Sequence, residues 1–394
     1  MIKVLVTDAN YRTALVVIRS LGRRNIHVAG VQSEGLGKFD AVGFYSRYCQ
    51  EKIYMPSYRT DQESFLRNLI DISAKYDVIF PISAQLIMLL SKHLDKLQGK
   101  MAIADYATLT LANSKDKLLN IARECAVPIP RTTSFPDLSQ LDAIAKCLDY
   151  PAVIKFRSDE NLYLPAEKRY AIAYNSGDLV ENYKKMHAIQ AFPLIQEYIQ
   201  GPGFGFSAIF DRRHQPKALF CHRRIREYPI SGGPSACCES VYEPKLIEYG
   251  LRLLSAIKWV GVAMVEFKFD RRDKEFKLME INPRIWGSAA LAVASGVDFP
   301  YLLFKTAMGE DFRPVMQYRV GTKLRFIGLD LLAVKDYVFK AKKIKYLIDF
   351  LKDIFNIRVK DGILELGDLK PALFYFFKYL GIILRPKGNT KEEA

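Results

Sequence analysis

Val262-Ala-Met-Val-Glu266-Phe-Lys-Phe-Asp270 is followed by a polar break at Arg271–Glu275, and then by Phe276-Lys-Leu-Met-Glu280-Ile-Asn282-Pro-Arg284. Apolar residues alternate or run on either side of each glutamate, the pattern of two adjacent strands joined by a hairpin loop. On this reading Glu266 and Glu280 project from neighbouring strands toward one spot, with Asn282 just beyond. A lone glutamate on a strand is ordinarily a solvated residue of its polar face. Two carboxylates and an amide oxygen brought together are hard ligands. They suit Mg²⁺ (or Mn²⁺), which takes few protein oxygens and leaves positions for phosphate.

Glu266 and the run Glu280-Ile-Asn282-Pro-Arg284 resemble the metal-binding core of the ATP-grasp superfamily, whose members include biotin carboxylase, the large subunit of carbamoyl-phosphate synthetase and many carboxylate–amine ligases. The stretch from Phe204 to Pro300 is similar in particular to the carbamoyl-phosphate-synthetase-like members, and the resemblance runs from Met1 to Pro314. It implies ATP and Mg²⁺ as the groups bound. It also implies an α/β and α+β architecture: a Rossmann-like domain over 1–110, and an ATP-grasp domain over 111–316 with lobes 111–195 and 196–316. A mixed, basic C-terminal extension over 317–394 completes it.

The N-terminal part supports that division independently. Ile2-Lys-Val-Leu-Val-Thr7, His27–Val31 and Asp77–Pro81 read as strands, with helical patterns to about Arg23 and over Gln62–Lys75. Strands alternating with helices make a parallel, doubly wound sheet. The first turn, Asp8-Ala-Asn-Tyr-Arg12, lacks G-x-G-x-x-G, so a dinucleotide pyrophosphate has no close backbone approach there. The polar turns Asp8–Arg12 and Ser83–Gln85 lie at strand C-termini, where ligands bind in open α/β sheets, although ordinary turn chemistry explains them as well.

Along the middle of the chain the resemblance assigns further residues. Lys115, in a helix with Ser114 as the expected N-cap, and Lys155, ending the strand Tyr150–Lys155, reach the nucleotide phosphates. A buried cation such as Lys155 needs an anionic partner in any case. Gln196-Glu197-Tyr198-Ile199 is the hinge that binds adenine through the backbone and ribose through Glu197. The family's glycine-rich flap has no counterpart, since Phe156–Tyr170 contains no glycine. Arg157, Lys168 and Arg169 are the side-chain substitutes on offer. Gly201-Pro-Gly203-Phe-Gly205 reads as fixing the start of a strand.

In Phe220-Cys-His222-Arg223-Arg224-Ile225-Arg226-Glu227, strand periodicity puts His222, Arg224 and Arg226 on one face. Three bases on one side need facing anions: the glutamates, the phosphates or a carboxylate substrate. Arg284, with Arg224 or Arg226, is the expected catalytic set that binds the carboxylate. His222 and the loop Ser231-Gly232-Gly233 are the expected substrate contacts, and Glu239 is a further acid near the metals.

With 394 residues, nearly half of them hydrophobic, the chain can bury two or three cores. The six cysteines show no metal or disulfide spacing, which points to a reducing cytoplasm. A net charge of +15 fits anionic substrates or lipid. No nucleic-acid motif accompanies it, so no nucleic-acid partner is expected. Residues 317–394 hold sixteen basic and nine acidic residues, nearly half of the excess. Leu369–Leu384 there is too short in apolar run to span a bilayer. Peripheral contact with the inner membrane face, packing on the body and a homodimer contact all remain open for it. The function expected is ATP-dependent joining of a carboxylate to an amine through an acyl phosphate. A bicarbonate-activating enzyme and a catalytically weak ATP-binding scaffold at the membrane are the alternatives.

Overall fold

Val4-Leu-Val6 is apolar at every position, as a strand covered on both faces must be. It forms the heart of a parallel sheet made of β1 (Lys3–Val6), β2 (His27–Ser33), β3 (Glu51–Met55) and β4 (Val78–Phe80), in the order β3-β2-β1-β4. Val4, Val6 and Val28 pack with helix Arg12–Gly22 on one side, while Leu5, Ala29 and Val31 meet Phe65, Leu69 and Leu86 on the other. The strand at Glu51–Met55 is not in the sequence reading, because its outward residues are charged and its pattern is short. The computed structural model describes residues 1–36, 40–158, 162, 164 and 168–384, the last six of these by backbone alone.

A small antiparallel sheet follows: β5 (Thr132–Thr133), β6 (Ala152–Lys155), β7 (Tyr170–Ala173) and β8 (Leu194–Glu197), ordered β5-β8-β6-β7. Its core, Ile154, Phe156, Leu179, Tyr183 and Ile195, is separate from the others.

The third sheet has seven strands: β9 (Gly203–Phe210), β10 (Pro216–Glu227), β11 (Ser235–Ser240), β12 (Gly261–Asp270), β13 (Glu275–Asn282), β14 (Lys323–Arg325) and β15 (Lys360–Asp361), ordered β13-β12-β9-β10-β11-β14-β15. Along β12, Val262 and Met264 face the N-terminal unit, and Ala263, Val265 and Phe267 face helix Pro244–Ala256. Both faces are covered, so the strand reads as a continuous apolar run. Glu266 is the interruption, on the Met264 face.

The stretch after 316 adds β14 and β15 to the sheet edge, then packs back. Asp368 accepts from Arg19 Nε (2.9 Å), Ser46 Oγ (2.7 Å) and the Arg47 N–H (2.9 Å). Helix Lys370–Leu384 stacks Phe374 on Tyr45 (3.5 Å) and pairs Lys378 with Asp40 (3.2 Å). Of the three roles left open for this stretch, packing on the body is the one these contacts realise. Among the described residues, no helix is long and apolar enough to cross a membrane.

Candidate active site

Glu266 and Glu280 are direct cross-strand partners of β12 and β13. Pairing then skips one residue, from Glu266↔Glu280 to Phe267↔Leu278, leaving Met279 unpaired. This bulge aims both Met279 and Glu280 into one cleft of about 320 Å³, together with Met264, Glu266 and Lys268 from β12. Across the cleft stand Lys155, Val153 and Ile172 of the small sheet and the hinge Gln196–Ile199. Lys115, Asn282, Arg284, Arg224, His222, Ser231, Gly232 and Gly233 complete its wall.

The charges in this cleft are interdependent. Burial pushes the Lys155 ammonium down to about 8, Lys115 and Lys268 push the same way, and Glu280 and Glu266 resist. Burial also disfavours the Glu280 carboxylate. Lys115, a hydrogen bond from Asn282, Lys155 and Arg224 outweigh it and hold Glu280 below the usual range. Glu266 goes the other way: burial and the neighbouring Glu280 raise it even though Arg224 Nη2 lies 2.5 Å away. Burial of Glu266 beside Glu280 disfavours its charged form, and a divalent cation held by the two residues would relieve that. The oxygen donors present suit Mg²⁺. Asn282 offers Nδ2 to Glu280 (3.0 Å) and Oδ1 to Arg284 (3.3 Å), so its oxygen faces a metal only with the amide's ends exchanged.

His222 fits beside Glu266 because Gly205, its partner on β9, has no side chain. A Cβ there would lie 2.2 Å from His222 Cε1. Burial and Arg224 push the imidazole down to about 3, so it is neutral. Arg224 also donates to the Gly233 carbonyl (3.3 Å), tying the loop to Glu266. Tyr170 Oη of the small sheet reaches Ser231 Oγ and the Gly232 carbonyl, both at 3.2 Å, so the loop bridges the two sheets.

Arg226 requires a correction. A bulge shifts the β10–β11 register between Arg224 and Arg226, and the alternation that would bring the third base to the cleft breaks there. Arg226 is fully buried elsewhere, bonded to Asp330 (2.6 and 2.7 Å) and Asp353 (2.8 Å). Glu239 likewise pairs with Arg223 on the face away from the cleft. Arg157 donates to the Phe192 carbonyl (2.6 Å) and to Asp116 (3.2 Å), anchoring the lobe. Arg169 does line the cleft. Much of the expected flap, 159–161, 163 and 165–167, lies outside the described residues. Ser114 sits at the expected N-cap position, but its hydroxyl donates to Asp116 (2.6 Å).

In the hinge, the Glu197 N–H donates to the Arg131 carbonyl (3.0 Å) and the Tyr198 N–H to the Pro151 carbonyl (3.3 Å). Glu197 itself is paired with Arg131 (3.1 Å) and Arg272 (2.9 Å), which compete with its expected role toward ribose. The sequence reading missed Lys268, Tyr170 and Arg12 as cleft residues. Lys268 was accessible through its period-two spacing from Glu266; the other two reach the cleft only through tertiary packing.

A family model described as "ATP-grasp in the biosynthetic pathway with Ter operon" matches residues 207–327, which include both glutamates. The biotin carboxylase–βγ-ATP complex of Campylobacter jejuni superposes with a TM-score of 0.64 at 19% identity, over 82% of this chain and 74% of that one.

The chain has the ATP-grasp fold.

The biotin carboxylase domain of Hydrogenobacter thermophilus 2-oxoglutarate carboxylase, solved with MgADP, ADP and bicarbonate, shares that fold at a TM-score of 0.62 and 18% identity, over 82% of this chain and 73% of the other. In sequence, this chain is 24% identical over 217 residues to the carbamoyl phosphate synthase large chain of Saccharolobus islandicus strain L.S.2.15. That alignment covers 52% of this chain and only 20% of the relative, so the chain matches about a fifth of the length of that protein.

Proposed function

We propose that this chain is an ATP- and Mg²⁺-dependent ligase that phosphorylates a carboxylate to an acyl phosphate and joins it to an amine or similar nucleophile. The observation that carries the proposal is the cross-strand pair Glu266–Glu280 facing Lys155 and Lys115 across a cleft between two sheets. The division at about residues 110 and 316 belongs to the same proposal.

Lys155 and Lys115 bind and orient the triphosphate, and the hinge from Gln196 to Ile199 seats the base between the apolar walls of Met264 and Met279 on one side and Val153 and Ile172 on the other. Glu266 and Glu280, with Asn282 after its amide is exchanged, would hold Mg²⁺, which when bound neutralises charge on the transferred phosphoryl group. Arg284 binds the acceptor carboxylate, and Arg224 stabilises charge as the phosphoryl group moves. His222, neutral and buried, and the loop Ser231–Gly233 shape the acceptor end and exclude water from the acyl phosphate. The attacking amine displaces phosphate and needs no side-chain base. The test is ADP release on adding a panel of amino acids and amines, with wild type and Glu280→Gln side by side. Release that survives Glu280→Gln removes the metal assignment. Bicarbonate-dependent release, for which the relative holding bicarbonate is the supporting observation, favours carboxyphosphate chemistry. Nucleotide binding without turnover on any acceptor favours the scaffold.

A second reading concerns place. Helix Lys345–Phe355 exposes Ile348, Leu351 and Phe355 beside Lys345 and Lys352, the make-up of an interfacial helix. Cytoplasmic residence with peripheral contact at the inner face is therefore part of the proposal. Failure to cosediment with anionic vesicles at low salt would remove the contact.

A further inference from the structure

The wall of the cleft beyond Arg284 includes Arg12, Trp286, Gly287 and Ser288, where the turn after β1 meets the large sheet. The cations nearer the glutamates are matched by acids: Arg224 by Glu266 and Glu227, and Lys115 and Lys155 by Glu280. The two guanidiniums at the far end are not. Arg284 donates only to carbonyl oxygens, of Ile285 (3.3 Å) and of the Asn282 amide (3.3 Å). Arg12 donates to the Ser235 carbonyl (3.4 Å) and lies 3.8 Å over the Phe326 ring. Among the described residues, neither forms an ion pair.

A third guanidinium, Arg59, stands behind them on Tyr11 Oη (3.0 Å). The carboxylate of this corner is Asp8, whose oxygens accept from Thr7 (2.8 Å), Tyr58 (3.1 Å) and the Ser83 N–H (3.3 Å). Asp8 is thus hydrogen-bonded to neutral donors and, among the described residues, to neither Arg12 nor Arg284. Trp286, 2% exposed and lining the same wall, has an indole N–H with no acceptor among the described residues. Gly287 makes room for the arginine: a Cβ there would lie 2.9 Å from Arg12 Nη2. Two guanidiniums without acids on one wall of the cleft, with Gly287 leaving Arg12 the room to lie there, call for an acceptor-rich anion.

Resting on the ligase reading, we propose that Arg12 binds a second anionic group of the acceptor, so that the acceptor carries two anionic groups and is either a dicarboxylate or a phosphorylated acid. Arg284 holds the carboxylate that is phosphorylated, and Arg12 holds the other group. This makes Arg12 a specificity residue contributed by the N-terminal unit.

The test is calorimetric titration of the full chain, with and without saturating Mg·AMP-PNP, using glutarate and 3-phosphoglycerate against the monoanions valerate and glycerate. At least one ligand with two anionic groups is expected to bind about tenfold or more tightly than its monoanion, the worth of one added charge-assisted contact. Glutarate against 3-phosphoglycerate distinguishes the two sources of the second charge. Arg12→Gln should erase the advantage while leaving Mg·AMP-PNP affinity within about twofold, and Gly287→Ala, which displaces Arg12, should reduce it. Glutarate and 3-phosphoglycerate both no tighter than the monoanions, including no binding of any, overturn the proposal, as does an advantage that persists in Arg12→Gln. Failure of Mg·AMP-PNP itself to bind would instead overturn the ligase reading, and the titrations without nucleotide still judge Arg12.

Discussion

Lys155 carries the most direct prediction at the scale of single residues. Its ammonium titrates near 8 in the empty cleft against an ordinary value of 10.5. Phosphate binds the charged form, so nucleotide affinity should hold steady just below pH 8 and then fall by up to about tenfold per pH unit as pH rises above it. Lys155→Met should weaken binding throughout and flatten the profile; a wild-type profile flat to pH 9.5 would remove Lys155 from the phosphate site. The same shift has a stability sign. Between pH 8 and 10.5 the unfolded lysine keeps its proton while the folded one has lost it, so this group adds stability to the empty protein as pH rises through that window. Glu280→Gln should lower acceptor-dependent ADP release below detection with the fold intact by circular dichroism, because the site loses a charged oxygen but no volume. Arg226→Leu should behave oppositely. It leaves Asp330 buried without its partner and Asp353 with Lys323 alone, costing about 3–5 kcal/mol in denaturant melts, with nucleotide affinity unchanged.

At the scale of strands, the fate of the three bases on β10 shows what a sequence reveals and what it does not. The hairpin Val262–Asn282 was readable because two apolar runs flank a polar loop; Glu266 falls where alternation puts it, whereas Glu280 reaches the same cleft only through the bulge at Met279. Lys115, Lys155 and the hinge were readable through resemblance, and all line the cleft. Arg226 was misread because a bulge is a matter of pairing, which one strand's residues do not disclose, and its partners Asp330 and Asp353 come from far along the chain. Arg12 was legible only as a turn residue for the same reason: what gives it a role is Gly287 and Phe326, hundreds of residues away. The bare Cα of Gly205 is the matching element-scale prediction. Gly205→Ala should force His222 out of its slot and lower thermal stability, and should depress acceptor turnover more than nucleotide binding, since the clash is on the acceptor side.

For the whole molecule, the segment after 316 closes the seven-stranded sheet, supplies acids for Arg226 and Lys323, and runs back to the N-terminal unit at Arg19, Ser46 and Asp40. Truncation after Gln317 should therefore yield insoluble chain, because Arg226 is left buried without its acids and Phe326, Leu329 and Phe350 are stripped from the core. A soluble truncated body with a normal melt would contradict this. The small sheet, by contrast, has its own core and meets the rest through the hinge, through Arg157 and its neighbours, and through Tyr170 on the Ser231–Gly232 loop. Amide exchange should slow in Ala152–Lys155 and Tyr170–Ala173 when Mg·AMP-PNP is added, while β9 and β12 stay as protected as before.

The buckle at Asp368 decides which part of the molecule is anvil and which is jaw. The returning tail ties the N-terminal unit to the large sheet through Asp368, while the small sheet bearing Lys155 has its own core and shares none of those bonds, so motion is expected on that side. On the proposed function, spent nucleotide would depart past the small sheet without loosening the hold on whatever occupies the tied side.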